Sequence, residues 1–476
     1  MAVVERFLAA FLLVSAAAWP SGFAQQGSAL SSETLKQQAH AAVASGQWDA
    51  AVESYEKAVE LSPKDVELRV ELGAALTKSG RLADSIATYQ EALRIAPRSV
   101  SAELGLAQAY RAVPNYEEAK HVLGRAIREH PKSAAALAAM GDFELQQQTY
   151  DAAIGHLKAS LALAPANVET RNLLAAAYKA KGDLTSALAV LQKALARDPD
   201  NALAHFLSAE IYSDRNQDEL ALPEARKVVA LQPQNERGRA VLGKILLRAP
   251  QGMAAEEVTE RCRGAVRALE PVAEGKGKDS QTLFLLSRAY RCAGQAEQAD
   301  KAAAAFAAAS QNERSAKENE AQSLHLVQQA NEAALKNDLP GALELLQQAL
   351  EKDPDNGAAY SMLAKLYYSA GDIDKASDAI RKALERGPHQ PDFLYVQGKI
   401  LEKQGKLDEA LAAFAQTTLI NPRESDAYFE IGAIYQQRND RLRAIAAYKK
   451  AVEISPDDPD YRRALASASS GASVSP

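Results

Sequence analysis

Apolar and polar positions follow one another along the chain with the spacing of amphipathic helices. In the stretch WDAAVESYEKAVELSPKD, residues 48–65, apolar side chains recur every three or four positions and a proline ends the run. This spacing places the apolar residues on one face of a helix, and Pro63 predicts its end because proline lacks a backbone N–H. The same succession recurs through the chain, so the pattern predicts a helical repeat.

The spacing between prolines and the positions of small and large residues define that repeat. Every eighth position, counted from Ser32, is Ala, Gly or Ser, and large residues such as Tyr55 and Phe414 occupy the twenty-fourth. Small residues let two helices approach closely and large ones fill the space between them, so each repeat predicts a packed helix pair. The prolines stand 34 residues apart in two series, Pro63, Pro97, Pro131, Pro165, Pro199 and Pro233, then Pro354, Pro388, Pro422 and Pro456.

A 34-residue helix-turn-helix unit with these positions resembles the tetratricopeptide repeat family. The resemblance implies an all-α fold, a right-handed superhelical solenoid of about twelve helix-turn-helix repeats. It also implies a concave groove that is lined by the first helix of each repeat and binds extended peptides or partner proteins. Residues 48–65 form a second helix, so we expect them to be structural.

The turns inside the repeats follow a second rule. Most carry a residue that tolerates a left-handed backbone: Gly46, Gly80, Gly182, Asn216, Gly294, Asn337, Gly371, Gly405 and Asn439. Pro114 and Gln148 depart from it, and we expect the third turn to be built differently because proline disfavours positive φ.

An irregular region separates the two proline series, because Pro354 follows Pro233 by 121 positions, 19 more than three repeats require. In the seventh repeat we expect a second helix that is displaced or longer. Residues 311–322 are either a charged connector or part of a bent helix. The predicted organisation begins with a signal peptide at 1–24 and a short segment at 25–31. A first array of about eight repeats follows at 32–310, with its irregularity at 250–279. After the connector come a second array of four repeats at 323–458, a capping helix at 459–468 and a disordered tail at 469–476.

The N-terminus has the pattern of an export signal. Residues 7–19 are uncharged and mostly apolar, Pro20 follows, and Gly22 and Ala24 suit cleavage after Ala24. The alternative is an uncleaved membrane anchor, which Pro20 and Gly22 disfavour because a spanning helix needs about 20 apolar residues. We expect an exported protein, periplasmic or extracellular, with no membrane span after cleavage.

The chain has two cysteines, Cys262 in the seventh repeat and Cys292 in the eighth. Export would let a disulfide persist, and successive solenoid helices pack together. The alternative is a pair of small buried thiols.

Motifs for catalysis or for metals are missing from the sequence. The seven histidines lie singly, with no HExxH or CxxC spacing, and no GxSxG or GxGxxG segment stands in the required context. We therefore expect no enzyme activity, catalytic residue, metal or cofactor. The net charge of −6 supplies no general basic field, so nucleic acid is not an expected partner.

The inner positions of the late repeats carry the candidate binding residues. Aromatic rings among cations favour a carboxylate-bearing or otherwise acidic ligand. The alternative is a solvated charged face whose rings pack on neighbouring helices. The candidates are Phe284, Arg288, Arg291, Lys365, Tyr368, Tyr395, Lys399, Lys403 and Phe429.

These patterns predict an exported, non-enzymatic scaffold that mediates protein-protein interaction by binding extended or acidic partner segments in its groove. The alternative is a periplasmic accessory protein in the export or assembly of polysaccharides or appendages, with glycan or partner-protein binding. The sequence names neither the partner nor the oligomeric state.

Overall fold

The computed structural model describes residues 31–275 and 279–470, and these contain 24 α-helices. The predicted signal peptide at 1–24 and most of the segment at 25–31 lie outside the described residues. The helices are α1 Ser32–Ala44, α2 Trp48–Leu61, α3 Val66–Ser79, α4 Leu82–Ile95, α5 Val100–Ala112, α6 Tyr116–Glu129, α7 Ala134–Gln146, α8 Tyr150–Leu163, α9 Val168–Lys181, α10 Leu184–Leu195, α11 Ala202–Asp214, α12 Asp218–Leu231, α13 Glu236–Leu246, α14 Ala255–Glu274, α15 Ser280–Cys292, α16 Ala296–Leu335, α17 Leu339–Lys352, α18 Gly357–Ser369, α19 Ile373–Arg386, α20 Pro391–Lys403, α21 Leu407–Ile420, α22 Ser425–Gln437, α23 Arg441–Ile454 and α24 Pro459–Ser470.

The helices pack in chain order, each against the next, which confirms the predicted all-α solenoid. Twelve repeats result, because α16 supplies the second helix of the eighth repeat and the first helix of the ninth, and α24 follows the last pair. The first helices of successive repeats also contact each other, as α3 contacts α5 and α18 contacts α20. They therefore form a continuous surface along the solenoid.

In the repeats whose eighth residue is glycine, a large side chain of the second helix sits on that glycine of the first helix. A Cβ atom added to Gly73 would lie 2.7 Å from Tyr89 Cζ, and one added to Gly398 would lie 2.5 Å from Phe414 Cε1. The same relation joins Gly141 to Leu157 and Gly432 to Tyr448. Packing of the side chain onto bare backbone explains the small eighth position.

In all repeats but the seventh, the turn contains one hydrogen bond that spans five residues. Arg81 N donates to Leu76 O at 2.9 Å, and Thr149 N donates to Glu144 O at 2.9 Å. Asn115 N makes the same bond to Tyr110 O, and Pro114 has a φ of 23°. The third turn therefore keeps the five-residue bond, but it differs in one respect, as expected: Pro114 has no N–H for the second bond that other turns make, such as Gln148 N to Leu145 O at 3.1 Å. The five-residue bond uses the N–H of the residue after the proline, so the missing donor of Pro114 does not prevent it.

The seventh repeat absorbs its extra residues without losing the internal contact. An eight-residue connection, 247–254, precedes α14, which is 20 residues long where α2, α4, α6 and α8 have 14. A Cβ on Gly243 would lie 2.5 Å from Leu269 Cγ. Leu269 is therefore the large residue of the second helix that packs on Gly243, a residue that the sequence pattern did not identify. The predicted longer second helix is present.

The two arrays meet in a continuous helix of 40 residues, α16. The segment 311–322, for which the sequence left a connector or a bent helix open, is helical throughout. Glu313 within it accepts hydrogen bonds from Ser280 N at 3.0 Å and Ser280 Oγ at 2.8 Å at the start of α15. Ser323 is fully buried and donates to Ala349 O at 2.8 Å, which fixes the start of the ninth repeat.

The last helix covers the end of the second array. Tyr461 of α24 is buried, and its hydroxyl donates to Asp426 of α22. The guanidinium of Arg441 binds the backbone carbonyl of Ala468 at 2.7 Å. The helix reaches Ser470, two residues into the segment assigned to a tail, and residues 471–476 lie outside the described part.

A contact between distant repeats closes the solenoid onto itself, and we call it the clasp. Asn115, in the third turn, is 4% exposed and its Nδ2 donates to Leu419 O at 2.6 Å. Leu419 and Ile420 pack against the hydrophobic cluster that includes Tyr110 and Val113. Two segments 304 residues apart in the chain are thereby joined.

Two glycines of the fourth repeat test the close helix contact. Gly141→Ala should lower stability by about 1–3 kcal/mol, because its Cβ would overlap Leu157. Gly155→Ala should raise stability by about 0.5–1 kcal/mol, because no atom lies within 4 Å of the new Cβ and α8 gains helix propensity. Denaturation midpoints of both variants measure this, and equal shifts would contradict the close contact.

The clasp can be opened without uncapping a helix. Asn115→Asp keeps the oxygen that accepts from Glu118 N but removes the donor to Leu419 O, at a cost of about 1–3 kcal/mol to the closed form. Small-angle X-ray scattering should then show a larger radius of gyration. Asn167→Asp, which retains the cap of α9 and has no distant contact, should leave the profile unchanged. An unchanged profile in Asn115→Asp would refute the clasp.

Candidate functional site

The surface formed by the first helices is the candidate site, and we call it the groove. Side-chain caps fix where these helices begin: Asp65 accepts from Leu68 N at 3.1 Å before α3, and Asn356 accepts from Ala359 N at 3.0 Å before α18. Between α5 and α7 the groove contains a depression of about 680 Å³ lined by Gln108, Arg111 and Asp142. The sequence analysis assigned no site there.

Ionisable side chains of the groove bond to partners on the next first helix. The partners lie 31 positions apart, close to one repeat length. The pairs are His40 with Glu71 at 3.2 Å, Arg111 with Asp142 at 2.9 Å, Lys179 with Glu210 at 2.5 Å, and Lys399 with Glu430 at 2.8 Å. Several cations and anions that look free in sequence are therefore neutralised by their neighbours.

Lys399 and Tyr395, both predicted site residues, meet at Glu430. Lys399 also pairs with Glu402 at 3.1 Å, and the Tyr395 hydroxyl donates to Glu430 at 3.4 Å. Burial lowers the pKa of Lys399, but the hydrogen bonds and charges of Glu430 and Glu402 outweigh it and raise that pKa. Burial, reinforced by the charge of Glu430, raises the pKa of Tyr395. Burial also raises the pKa of Glu430, against its bond to Lys399.

Phe429 packs against aromatic rings of the last helices of the second array. Its ring lies 5.6 Å from that of Tyr448 and 5.2 Å from that of Tyr461, measured between centroids. Tyr395 likewise packs on Phe414 at 5.6 Å. These rings belong to the packing of their repeats.

Phe284 and Arg288 form a separate group on α15. Phe284 is 42% exposed, its ring lies 5.4 Å from Phe306, and the Arg288 guanidinium lies 5.8 Å from the Phe284 ring centre. Arg291 pairs with Asp300 at 3.2 Å, with both side chains exposed, so solvent weakens that pair. The group is brought together by one helix and is not joined to Glu430.

Two predicted cations remain without a partner among the described residues. Lys365 on α18 and Lys403 on α20 are exposed and make no ion pair or hydrogen bond there. Tyr368 is half-buried and packs against the hydrophobic cluster of α18 to α20. A signal for these differences exists in the sequence, since Lys399 has an acid 31 positions later and Lys365 has Val396.

The two cysteines join neighbouring repeats. A disulfide links Cys262 of α14 to Cys292 of α15, with Cα atoms 5.7 Å apart. Of the two alternatives, bond or buried thiols, the structure contains the bond. It ties the irregular seventh repeat to the eighth, within the cluster that includes Leu269 and Leu286.

Two searches of the described residues are negative. Residues 31–275 and 279–470 hold no group of three or more His, Cys, Asp or Glu side chains arranged to bind a metal ion. Within the same ranges, no helix combines the length and the apolar character that crossing a membrane requires.

Comparisons with known proteins point to one family. Family models described as tetratricopeptide repeat match residues 36–100, 76–142, 179–245, 333–400 and 395–459. No curated protein matches the chain.

Three of the solved structures that match the chain are the following. A tetratricopeptide repeat protein from Parabacteroides merdae is 20% identical, with 54% of this chain and 98% of that one covered, at a TM-score of 0.40. The Cut9-Hcn1 hetero-tetramer of APC/C is 13% identical, with 92% of this chain and 96% of that one covered, at a TM-score of 0.30. YrrB, described as having an unusual peptide-binding site, is 22% identical, covering 40% and 97%, at 0.31.

Lys365 and Lys399 occupy the same position in adjacent repeats, so one is a matched control for the other. Lys399→Met should cost about 1–3 kcal/mol of stability, because it leaves the largely buried Glu430 without its cation. Lys365→Met should change stability by less than about 0.5 kcal/mol, because this lysine is exposed and unpaired. Chemical denaturation measures both, and equal costs would show that Lys399 is not held by Glu430.

Proposed function

Because the chain belongs to the tetratricopeptide repeat family, we propose that it is a non-enzymatic scaffold that binds extended, acidic segments of partner proteins along its groove. Members of this family are protein-interaction scaffolds, and the continuous surface of first helices supplies the area that such binding requires.

The difference between paired and unpaired cations carries the proposal. In the first array, Arg111 and Lys179 are neutralised by Asp142 and Glu210. In the second array, Lys365 and Lys403 are exposed and unpaired on adjacent first helices. An acidic segment lying across α18 and α20 would supply the missing anions without displacing an existing pair. Lys78 of α3 and Lys244 of α13 are also exposed and make no ion pair with a described residue, but they lie on helices that are not adjacent. The neighbouring lysines of α18 and α20 therefore favour the second array as the principal contact.

Protein segments suit this groove better than glycans. Sugar recognition would favour exposed aromatic faces, but Tyr395 and Phe429 are packed against Phe414, Tyr448 and Tyr461. The 42% exposed Phe284 lies on α15, on a different helix from Lys365 and Lys403. A role in polysaccharide or appendage export would then rest on binding a protein component.

We also propose that the protein acts outside the cytoplasm. The apolar run 7–19 followed by Gly22 and Ala24 supports export with cleavage after Ala24. The Cys262–Cys292 bond supports the same conclusion, since disulfides persist in oxidising compartments. Fractionation of cells that make the full chain, with N-terminal sequencing of the protein, should place a form beginning at Gln25 in the periplasm or the medium. A form that keeps Met1 and sediments with membranes would instead support the anchor.

A photo-cross-linker tests the groove directly. p-Benzoylphenylalanine placed at position 365 or 403 should capture, in intact cells, a partner segment that mass spectrometry can identify. The same group at position 442, an 82% exposed site on the second helix α23, should not capture it. The captured segment is then made as a peptide, and its Kd is measured by titration with the purified protein.

Charge reversal measures what the free lysines contribute. Lys365→Glu combined with Lys403→Glu should weaken binding of that peptide by about tenfold or more, and the loss should shrink as salt is added. Lys57→Glu combined with Lys449→Glu makes the same change of net charge on exposed positions of second helices and should leave the Kd within about twofold. Equal losses in the two variants, or no loss in the first, would disprove the proposal.

A further inference from the structure

A cleft on the outer face of the seventh repeat is distinct from the groove. It has a volume of about 480 Å³ and lies among α12, α13 and α14. Eight of its eleven lining residues belong to the second helices α12 and α14, and the first helix α13 contributes Arg239, Leu242 and Leu246. The 20-residue α14 supplies six of the lining residues, and the Cys262–Cys292 bond ties α14 to α15.

Positive charge dominates the lining. Four arginines and two glutamates line the cleft, Arg226, Arg239, Arg261, Arg267, Glu257 and Glu260. Arg261 donates to the carbonyls of Ile245 and Arg248 at 3.2 and 3.1 Å and so caps α13. Arg226 makes no hydrogen bond or ion pair with any described residue. The cleft therefore offers an unpaired guanidinium and an excess of two positive charges.

The remaining arginines are held in place by their own contacts. Arg239 Nε donates to Pro233 O at 2.6 Å, and its Nη1 reaches Arg267 O at 3.5 Å. Arg267 donates to Glu260 at 3.1 Å. Glu260 also accepts from Arg263, so its charge is shared between two guanidiniums and does not neutralise Arg226. Arg226 and Arg267 are exposed, so their guanidinium groups are accessible to an anion that enters the cleft.

The floor of the cleft is apolar, and Gly264 places no side chain over it. Leu242 and Leu246 are buried side chains that reach it, and Gly264 lies opposite in the middle of α14. A Cβ on Gly264 would meet Leu246 at 3.4 Å, which is ordinary van der Waals contact, so packing does not demand glycine. Glycine inside a helix costs about 0.5–1 kcal/mol relative to alanine. Its effect here is to keep the cleft free of a side chain.

We propose that this cleft binds a small organic anion with an apolar body. The carboxylate or phosphate of the ligand lies against Arg226, Arg239 and Arg267, since guanidinium groups bind both anions through paired hydrogen bonds. Its apolar part covers Leu242 and Leu246. The volume falls within the range of about 300–1,000 Å³ that small-molecule sites occupy. This site is independent of partner binding in the groove.

Titration of the purified mature chain with three amphiphiles of equal chain length tests the proposal. Decanoate, decyl phosphate or both should bind with one site per chain, and decyltrimethylammonium should not. The anion that binds more tightly identifies the preferred head group. Gly264→Leu fills the cleft and Arg226→Met removes the unpaired cation, so each should weaken the tighter anion by about tenfold or more.

Gly155→Leu provides the matched control, because it also replaces a helical glycine with open surroundings but lies on α8, outside the cleft. Both glycine variants should keep the wild-type circular dichroism spectrum, and Gly155→Leu should keep the wild-type affinity. The proposal fails if neither anion binds, if the cation binds as tightly as the anions, or if Gly264→Leu binds as the wild type does.

Discussion

The close approach of two helices inside each repeat is the constraint on which the rest of the structure depends. A large side chain of the second helix rests on a small residue of the first, as Tyr89 rests on Gly73 and Phe414 on Gly398. Because this contact leaves no room for a Cβ at the glycine, it fixes the distance and register of the pair. The seventh repeat shows its priority, since the insertion moves the partner of Gly243 to Leu269 but preserves the contact.

Once each pair is fixed, successive first helices lie side by side and their polar side chains meet at a regular interval. The pairs Arg111 with Asp142 and Lys399 with Glu430 are consequences of that spacing. An unpaired charge then becomes the exception, found at residues such as Lys365, because the residue 31 positions later, Val396, is apolar. Packing inside the repeats thus decides which charges of the groove are available to a partner.

The sequence predicted what depends on one repeat and missed what depends on several. The proline spacing, the small eighth position and the left-handed turns are local, so the helix pairs could be read directly. Lys399 was chosen for its charge alone, but its partner lies on another helix and becomes visible only when residues 31 positions apart are compared. Pro114 does remove one hydrogen bond from the third turn, but the sequence did not reveal that the bond made by Asn115 N still closes it.

The clasp limits how far the repeats can be treated as a linear chain of neighbours. In a simple solenoid each unit touches only the units beside it, and its stability follows from those contacts. Here Asn115 and Leu419 join the third repeat to the eleventh, so a change in curvature between them must either break that bond or be absorbed elsewhere. The 40-residue helix α16 lies within this closed segment and spans the junction of the two arrays. A partner that straightens or bends the second array therefore acts on the first array as well, although the two contribute different parts of the groove.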